Sequence, residues 1–416
     1  MFLYNLFLRC YQLVIRLAYI WSPKARLWLE GRKSVFTILK EQIPADGKQV
    51  IWMHCASLGE FEQGRPLLEK IRSEYKNSFL LLTFFSPSGF EVQKKYKGAD
   101  LVTYLPMDGR KNAGKFLEIV SPSLAIFVKY ESWFYYLKTL QERAIPTILI
   151  AAIFKAEQNY FGIFGGFLRQ MLNYYSHIFV QDSPSLELIQ NHQIRSASSV
   201  SGDTRFDRVQ EIASVPFQNN IIDSFCKNSQ VIVAGSSWKE DEDMLSGYLK
   251  DHPEIKAIIA PHETDTKSIA RLQSVFPNSI LLSEANEKLA PSVNVLVINT
   301  MGMLSRLYRW SSVSYIGGGF NKSGIHNILE AAVYGKITVF GPKYHRSGEA
   351  EALVALGGAY TYSNYTELDS VLDNLLKNPA ERQKGESTAL NYVRSNLGAT
   401  NIILDYIRKL PDIKNH

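Results

Sequence analysis

The sequence has little cysteine and no long uninterrupted apolar stretch, and each of these features limits the classes of protein to which the chain can belong. Its 416 residues include only three cysteines, which are scattered and show neither a disulfide framework nor the spacing of a zinc site: Cys10, Cys55 and Cys226. No segment reaches the roughly 18 consecutive apolar residues that a membrane-spanning helix needs. Low-complexity tracts are also lacking. These features predict a folded, globular chain in a reducing, cytosol-facing compartment.

The length and the hydrophobic pattern predict two α/β domains. A chain of 416 residues exceeds what one hydrophobic core usually serves. Short apolar segments alternate with amphipathic ones, which is typical of parallel strands joined by crossover helices. The predicted strands are 49–54, 79–85, 124–129, 147–152 and 177–181 in the first half, and 231–234, 256–260, 279–282, 295–298, 313–316 and 337–340 in the second. Two doubly wound domains follow from this pattern.

Positive charge is concentrated at the N-terminus. Residues 1–33 carry six basic residues against Glu30 alone, so most of the formal net charge of +6 lies there. Residues 2–21 are otherwise largely apolar, and their polar members form one helical stripe: Asn5, Arg9, Gln12 and Arg16. A spanning helix, a signal sequence and a core helix are the alternatives. The pattern favours a retained interfacial anchor whose basic flank attracts anionic lipids: Lys24, Arg26, Arg32 and Lys33.

The segment Trp52 to Glu60 predicts a buried strand that ends in a tight turn at the start of a helix. In open α/β sheets, chemistry takes place at such turns. Glu60 is therefore a candidate general base. The alternative interpretation is an ordinary acidic residue in a first helical turn, where the helix dipole favours it.

The second half contains several loops that could bind an anion. Strand 313–316 runs into Gly317, Gly318 and Gly319, and a predicted helix start follows at 324–330. Similar strand-loop junctions occur at 299–303 and 261–265, although any one of them alone is a common connection between a strand and a helix. The dinucleotide fingerprint GxGxxG is missing, so NAD binding is not expected. The acidic segment 240–243 is interpreted as the first turn of a capped helix.

The order of these motifs resembles the Kdo transferases, glycosyltransferases of the GT-B fold that attach 3-deoxy-D-manno-octulosonic acid (Kdo) to the lipid A precursor. The resemblance covers nearly the whole chain. The segments that carry it are 54–60, 104–108, 130–133, 202–207, 300–302 and 317–342, of which the last, with His326 to Ala332 and Phe340-Gly341-Pro342, is the most specific.

The resemblance implies a role for each matching residue. Glu60 matches the catalytic base, and Glu131 and Arg205 match positions that stabilise the transition state. The residues that match cytidine monophosphate contacts are Pro261, His262, Met301, Gly302, Met303, Asn327, Ile328, Leu329 and Glu330. The family usually has Lys where this chain has Arg205, and Ser-Thr-His is frequent where Ser236-Ser237-Trp238 stands.

The implied protein has two Rossmann-like domains that face a cleft, with an N-terminal hydrophobic anchor helix. Its expected parts are an anchor and basic flank at 1–34, an acceptor-binding domain at 35–212, a linker at 213–229, a CMP-Kdo-binding domain at 230–382 and returning C-terminal helices at 383–416.

The expected reaction is an inverting transfer of Kdo from CMP-Kdo to the lipid A precursor, lipid IVA, in lipopolysaccharide synthesis. It would take place at the cytoplasmic face of the inner membrane, without a metal or other cofactor and without a nucleic acid partner. Three alternatives remain: another membrane-associated GT-B lipid glycosyltransferase, a GT-B nucleotide-sugar epimerase, and a non-catalytic membrane-bound scaffold.

Overall fold

A computed structural model describes residues 1–162, 165–411 and 413. The chain divides into two compact units. Unit 1 comprises Met1–Arg208 together with the C-terminal segment from Leu397, and unit 2 comprises Val209–Asn396. Each unit is built around a seven-stranded sheet in which neighbouring strands pair in parallel.

The sheet of unit 1 has the strand order β3-β2-β1-β4-β5-β6-β7. Its strands are β1 (Val50–Cys55), β2 (Phe79–Phe84), β3 (Leu101–Tyr104), β4 (Leu124–Val128), β5 (Thr147–Ala152), β6 (His177–Val180) and β7 (Ala197–Val200). Every residue of β1 and β4 is buried, which explains why both strands are continuous apolar segments without alternation. The strand order reverses between β1 and β4, so the loops after these two strands leave the sheet on opposite faces and open a crevice.

Helices cover both faces of this sheet. Those of unit 1 are α1 (Phe2–Ala18), α2 (Pro23–Lys33), α3 (Val35–Gln42), α4 (Leu58–Glu74), α5 (Pro87–Gln93), α6 (Arg110–Val120), α7 (Phe134–Glu142), α8 (Gly166–Leu172), α9 (Ser183–Asn191) and, in part, α10 (Thr204–Ser214). The C-terminal helix α19 (Ala399–Arg408) also belongs to unit 1. Asp207 fixes its start by accepting the backbone N–H groups of Gly398 and Thr400, each at 2.7 Å.

Unit 2 repeats the architecture with the strand order β10-β11-β9-β8-β12-β13-β14. Its strands are β8 (Val231–Ser237), β9 (Lys256–Pro261), β10 (Ser279–Leu281), β11 (Val295–Val297), β12 (Val313–Ile316), β13 (Thr338–Phe340) and β14 (Ala359–Thr361). Its helices are α11 (Asn220–Cys226), α12 (Lys239–Asp251), α13 (Thr266–Val275), α14 (Leu304–Leu307), α15 (Leu329–Ala332), α16 (Gly348–Leu356), α17 (Tyr365–Lys377) and α18 (Pro379–Ser395). The reversal here falls between β8 and β12.

The segment 213–229, expected to be a linker, contains helix α11. Asn219 caps this helix by accepting the N–H groups of Ile221 and Ile222, and Ile222 and Phe225 are buried. Two apolar residues at helical spacing were too few to reveal it in the sequence. Of the two helices expected to return, α18 lies in unit 2 and α19 lies in unit 1.

Helix α1 presents its apolar face to the outside. Leu8 is buried against Trp28 and Met107, and Tyr4, Tyr11 and Ile15 pack beside it. The exposed apolar residues of this region are Phe2, Leu3, Leu6, Phe7, Leu13, Val14, Leu17, Ile20 and Trp21. Within the described residues, no helix combines the length and the apolar character that crossing a bilayer requires.

One member of the expected lipid-binding flank has a different role. The guanidinium of Arg32 donates to the backbone carbonyls of Leu105 and Phe85 and lies over the ring of Trp28, 3.9 Å from its centroid. Arg32 therefore holds α2 against unit 1, and the expectation that it serves lipid head groups is wrong. Lys24, Arg26 and Lys33 are exposed.

Candidate active site

Glu60 and Glu131 follow β1 and β4, the two strands that flank the reversal of strand order in unit 1. The Oε2 atom of Glu60 accepts the backbone N–H groups of Ala56 at 2.5 Å and of Ser57 at 3.2 Å. These bonds complete a capping box at the start of α4, so the interpretation of Glu60 as a helix-start residue is confirmed. Among the described residues, no hydrogen-bond donor is assigned to the second oxygen, Oε1, and capping therefore leaves that oxygen for another partner.

The surroundings of Glu60 make it a stronger base than an ordinary glutamate. Burial and the nearby charge of Glu131 raise the pKa of Glu60 from 4.5 to about 7, against the opposing effect of its two backbone hydrogen bonds and of Lys129. A carboxylate that titrates near neutral pH suits general base catalysis, because a substantial fraction is deprotonated at working pH and the deprotonated form still binds a proton well.

Buried hydrogen bonds hold the imidazole of His54 beside Glu131. Trp52 donates its indole N–H to Thr83 Oγ1 at 2.8 Å, and the same hydroxyl lies 2.8 Å from His54 Nδ1. The Thr83 hydroxyl also donates to the backbone carbonyl of Met53 at 3.5 Å. The other ring nitrogen of His54, Nε2, lies 3.4 Å from Glu131 Oε2 and has no hydrogen-bond partner among the described residues.

Two further contacts fix the loop around Glu131. Trp133 donates its indole N–H to the Glu131 carboxylate, and the hydroxyl of Tyr175 donates to the Glu131 backbone carbonyl at 2.7 Å. Lys129, directly after β4, has φ +74°, a conformation that non-glycine residues rarely adopt. Strained backbone of this kind often occurs at functional sites.

Arg205 is engaged within its own loop. Its guanidinium contacts the carboxylate of Asp203 through Nε at 2.8 Å and Nη2 at 2.6 Å, and the Arg205 backbone N–H donates to the same side chain at 2.9 Å. Both guanidinium nitrogens contact the same oxygen, Oδ2, while Oδ1 accepts the backbone N–H, and these contacts fix the direction of the planar guanidinium. The side chain is about one-third exposed.

In unit 2, the loops after four adjacent strands meet at the carboxyl edge of the sheet. Trp238 follows β8, and its ring stacks on His262, which follows β9, with centroids 4.4 Å apart. The indole N–H of Trp238 donates at 3.1 Å to Nε2 of His326, in the segment after β12. Thr264 beside His262 contacts the sulfur of Met301, after β11, at 3.6 Å. The predicted positions Pro261, His262, Met301 and their neighbours are thus brought to one edge.

The hydrogen bond from Trp238 determines the proton position on His326. Because the indole is only a donor, His326 Nε2 must accept, so the neutral ring carries its proton on Nδ1. Burial and the neighbouring His262 lower the pKa of His326 to about 4. His326 is therefore neutral near pH 7 and presents an Nδ1–H donor. In the described chain, no acceptor is assigned to that group.

The helix start expected at 324–330 is shorter than the sequence suggested. Helix α15 begins only at Leu329 and has four residues, and the helix after Met301, Gly302 and Met303 is equally short; a glycine at φ +82° precedes each of them. Asn327 nevertheless shares a face with Glu330, since its amide donates to the Glu330 carboxylate at 3.3 Å. Met301 is 81% exposed, whereas Ile328 and Leu329 are fully buried and support the segment from below.

Asp241 anchors the glycine segment. Its carboxylate accepts the N–H groups of Trp238 and Gly318, both at 2.9 Å, and the hydroxyl of Tyr315 at 2.8 Å. The prediction of a capped helix at 240–243 is confirmed, and the cap also ties the loop after β8 to the loop after β12. In Gly318, with φ +92°, an added Cβ would lie 2.7 Å from the Gly324 carbonyl, so this turn requires glycine.

Several residues at these edges were not identified as site residues from the sequence. Glu131 is surrounded by Lys129, His54 and Trp133. Trp238 was noted only as a departure from a family pattern. Their position at the end of β1 or in the loops after β4 and β8, the strands at the two reversals, is the signal that could have identified them.

The chain is similar to known proteins over most of its length. A family model described as "3-Deoxy-D-manno-octulosonic-acid transferase (kdotransferase)" matches residues 30–208. A 3-deoxy-D-manno-octulosonic acid transferase from Rickettsia felis is 25% identical, and the alignment covers 91% of this chain and 86% of the Rickettsia felis protein. One from Aquifex aeolicus is 26% identical over 82% of this chain and 91% of its own.

A solved UDP-GlcNAc 2-epimerase from Neisseria meningitidis shares the fold. It superposes with a TM-score of 0.61 at 16% identity, covering 87% of this chain and all of its own. At an identity this low, the similarity shows only that the two proteins share a fold. The chain is thus a glycosyltransferase with the GT-B fold. Within that class, the family model and these relatives support a Kdo transferase.

Proposed function

We propose that this Kdo transferase takes Kdo from CMP-Kdo and adds it to a lipid A precursor, lipid IVA, in lipopolysaccharide synthesis. The observation that carries the proposal is the Glu60 carboxylate, whose pKa is raised to about 7 and whose Oε1 is not used by the capping box. Glu60 takes the proton from an acceptor hydroxyl as that oxygen attacks the anomeric carbon of the donor. A direct displacement with no covalent intermediate inverts the configuration at that carbon.

Unit 2 is proposed to bind the donor nucleotide. His262 and Trp238 offer an aromatic stack at the edge of the sheet, and the Asn327–Glu330 pair offers an amide and a carboxylate that suit the hydroxyls of a ribose. The Nδ1–H group of His326 is a neutral donor beside this stack, suited to a phosphate oxygen. Arg205 and the backbone N–H groups of 301–303 are proposed to stabilise charge on the departing phosphate.

Transfer is proposed to need no metal ion. Cytidine monophosphate is already a good leaving group, and cationic side chains and N–H donors can stabilise the negative charge that develops on its phosphate. In the described part of the chain, no group of three or more His, Cys, Asp or Glu side chains is arranged to hold a metal. Full activity in excess EDTA would support this proposal. Loss of activity that Mg²⁺ restores would contradict it.

The protein is proposed to work at the cytoplasmic face of the inner membrane. The exposed apolar face of α1 provides surface that water solvates poorly, and the exposed Lys24, Arg26 and Lys33 provide charge complementary to anionic lipid. An amphipathic helix of this kind lies in the interface rather than across the bilayer.

Mass spectrometry of the reaction products tests donor and acceptor together. The protein is incubated with CMP-Kdo and a tetraacylated lipid A precursor, and the mass of the lipid product is measured. A mass increase by one or more Kdo residues is expected, together with release of CMP. Transfer only from another nucleotide sugar would favour a different lipid glycosyltransferase, and free sugar without a lipid product would favour an epimerase.

A further inference from the structure

A polar pocket lies against the polar stripe of α1. The pocket has a volume of about 370 Å³ and is lined by the polar stripe of α1 and by the start of α6. We refer to it as the α1–α6 pocket; the lining residues used below are Arg9, Gln12, Asp108, Arg110, Lys111 and Asn112. The stripe identified in the sequence thus faces a cavity of the protein.

Cationic side chains dominate this pocket. Arg9, Arg110 and Lys111 are all exposed and all line it. Within the described residues, no hydrogen bond, ion pair or ring contact is assigned to any of their three side-chain cations. Arg32 nearby differs, because it is largely buried and donates to two backbone carbonyls. Three converging cations without an acceptor indicate a site for an anion from outside the chain.

The one carboxylate in the pocket is occupied elsewhere. Asp108 is buried and accepts the hydroxyl of Tyr4 at 2.5 Å and the backbone N–H groups of Tyr135 and Tyr136 at 3.1 and 3.3 Å. Asp108 therefore fastens α1 to the start of α7. These three donors occupy the carboxylate oxygens of Asp108, so the pocket retains an excess of positive charge.

We propose that the α1–α6 pocket binds the phosphate group of a lipid head group. Arginine guanidinium groups match phosphate oxygens in a bidentate manner, and a lysine adds a point charge. Arg9 lies on α1 itself, about one helical turn from Leu6 and Leu13 on the exposed apolar face, so one ligand can place its phosphate in the pocket and its acyl chains along that face. A free phosphate would use only the first part. This inference rests on the proposed membrane docking for the source of the phosphate.

A second cavity extends the site along the helix. It has a volume of about 250 Å³, shares Gln12 and Asn112 with the α1–α6 pocket, and adds Arg16 together with apolar side chains of α2 and the 106–107 segment. The two cavities therefore lie side by side, with polar and apolar side chains in their lining. A phosphorylated sugar with attached acyl chains has the same mixture of surfaces.

The test compares vesicles that differ in the kind of phosphate they display. Full-length protein is mixed with phosphatidylcholine vesicles that contain either phosphatidic acid, a phosphate monoester, or phosphatidylglycerol, a diester, at matched surface potential. We expect at least about tenfold tighter binding to phosphatidic acid, since a monoester leaves more phosphate oxygens open to the three cations. The variant Arg9→Gln/Arg110→Gln/Lys111→Gln should lose this preference.

A variant with the same loss of charge provides the control. Lys24→Gln/Lys33→Gln/Lys40→Gln removes three exposed cations that do not line the pocket. It should weaken binding to both kinds of vesicle by the same factor and keep the preference for phosphatidic acid. Thermal unfolding checks that both variants fold, and the double variant Arg110→Gln/Lys111→Gln replaces the triple one if the latter does not.

The outcomes separate this inference from the proposed function. A preference that survives in the pocket variant, or that is missing in the wild type while both vesicles still bind, overturns the pocket proposal and leaves membrane docking intact. Failure of the wild type to bind either kind of vesicle overturns docking itself. Inorganic phosphate that binds as tightly as phosphatidic acid, measured by calorimetry without vesicles, overturns the assignment to a lipid.

Discussion

Trp238 donates its indole N–H to Nε2 of His326 at 3.1 Å, and this bond joins the two loops that flank the reversal of strand order in unit 2. Trp238 also stacks on His262, so one side chain orients two imidazoles. Its position after β8 makes it a positioning residue for the proposed donor site.

Replacing Trp238 by phenylalanine should weaken donor binding more than it slows turnover. The stack with His262 is largely kept, while His326 loses the donor that fixes its proton on Nδ1. A net hydrogen bond contributes about 1 kcal/mol, which corresponds to roughly a fivefold rise in the KM for CMP-Kdo. Steady-state kinetics measure this effect. Trp310→Phe, which removes an indole bond to Asp223 in the same unit, should leave the KM unchanged.

Replacing Thr83 by valine should destabilise unit 1 and reduce activity. The change leaves the indole N–H of Trp52 and Nδ1 of His54 without their shared partner in a fully buried place. The expected loss is about 1–3 kcal/mol in the free energy of unfolding.

Thr338→Val is the matched control for this stability measurement. The Thr338 hydroxyl is buried and, within the described ranges, has no hydrogen-bond partner. Removing it should be neutral or slightly stabilising in urea unfolding. Equal destabilisation by both threonine substitutions would contradict the account of the Trp52–Thr83–His54 chain.

Making the outer face of α1 polar should release the protein from membranes. Leu6→Gln/Leu13→Gln/Leu17→Gln changes three exposed side chains and no contact within the hydrophobic cluster beneath α1. Burying one leucine contributes at least about 1.5 kcal/mol, so the vesicle partition coefficient should fall more than 100-fold. Val92→Gln/Leu289→Gln/Leu356→Gln changes exposed apolar residues elsewhere and should leave partitioning unaltered. Equal effects of the two variants would argue against docking through α1.

The raised pKa of Glu60 should make stability depend on pH. A glutamate in the unfolded chain titrates near 4.5 and Glu60 in the folded chain near 7, so between these values the folded state binds more protons. Its contribution to the free energy of unfolding is present below pH 4.5 and is lost as the pH rises through 7. Glu60→Gln should remove this slope, while Glu62→Gln should retain it. An unchanged slope in Glu60→Gln would show that another group is responsible.

The sequence predicted the central strands and the two strand-loop edges because their signal is strong. Fully buried strands such as β1 and β4 are continuous apolar segments, and glycines mark the turns after β12. The strands β3, β7 and β14 were missed, because short edge strands carry little pattern: β7, Ala197–Val200, has no buried residue. Contacts between distant segments, such as His54 with Glu131, depend on strand order, which no local pattern reveals.

The kinetic effect of Glu60→Gln tests the central claim most directly. Glutamine can still accept the Ala56 and Ser57 N–H groups, so the capping box survives while the basic carboxylate is lost. We predict that kcat for Kdo transfer falls by a factor of about 10²–10⁴ with little change in CMP affinity, and that Glu62→Gln retains wild-type activity. A Glu60→Gln enzyme that transfers Kdo at the wild-type rate would contradict the assignment of Glu60 as the base.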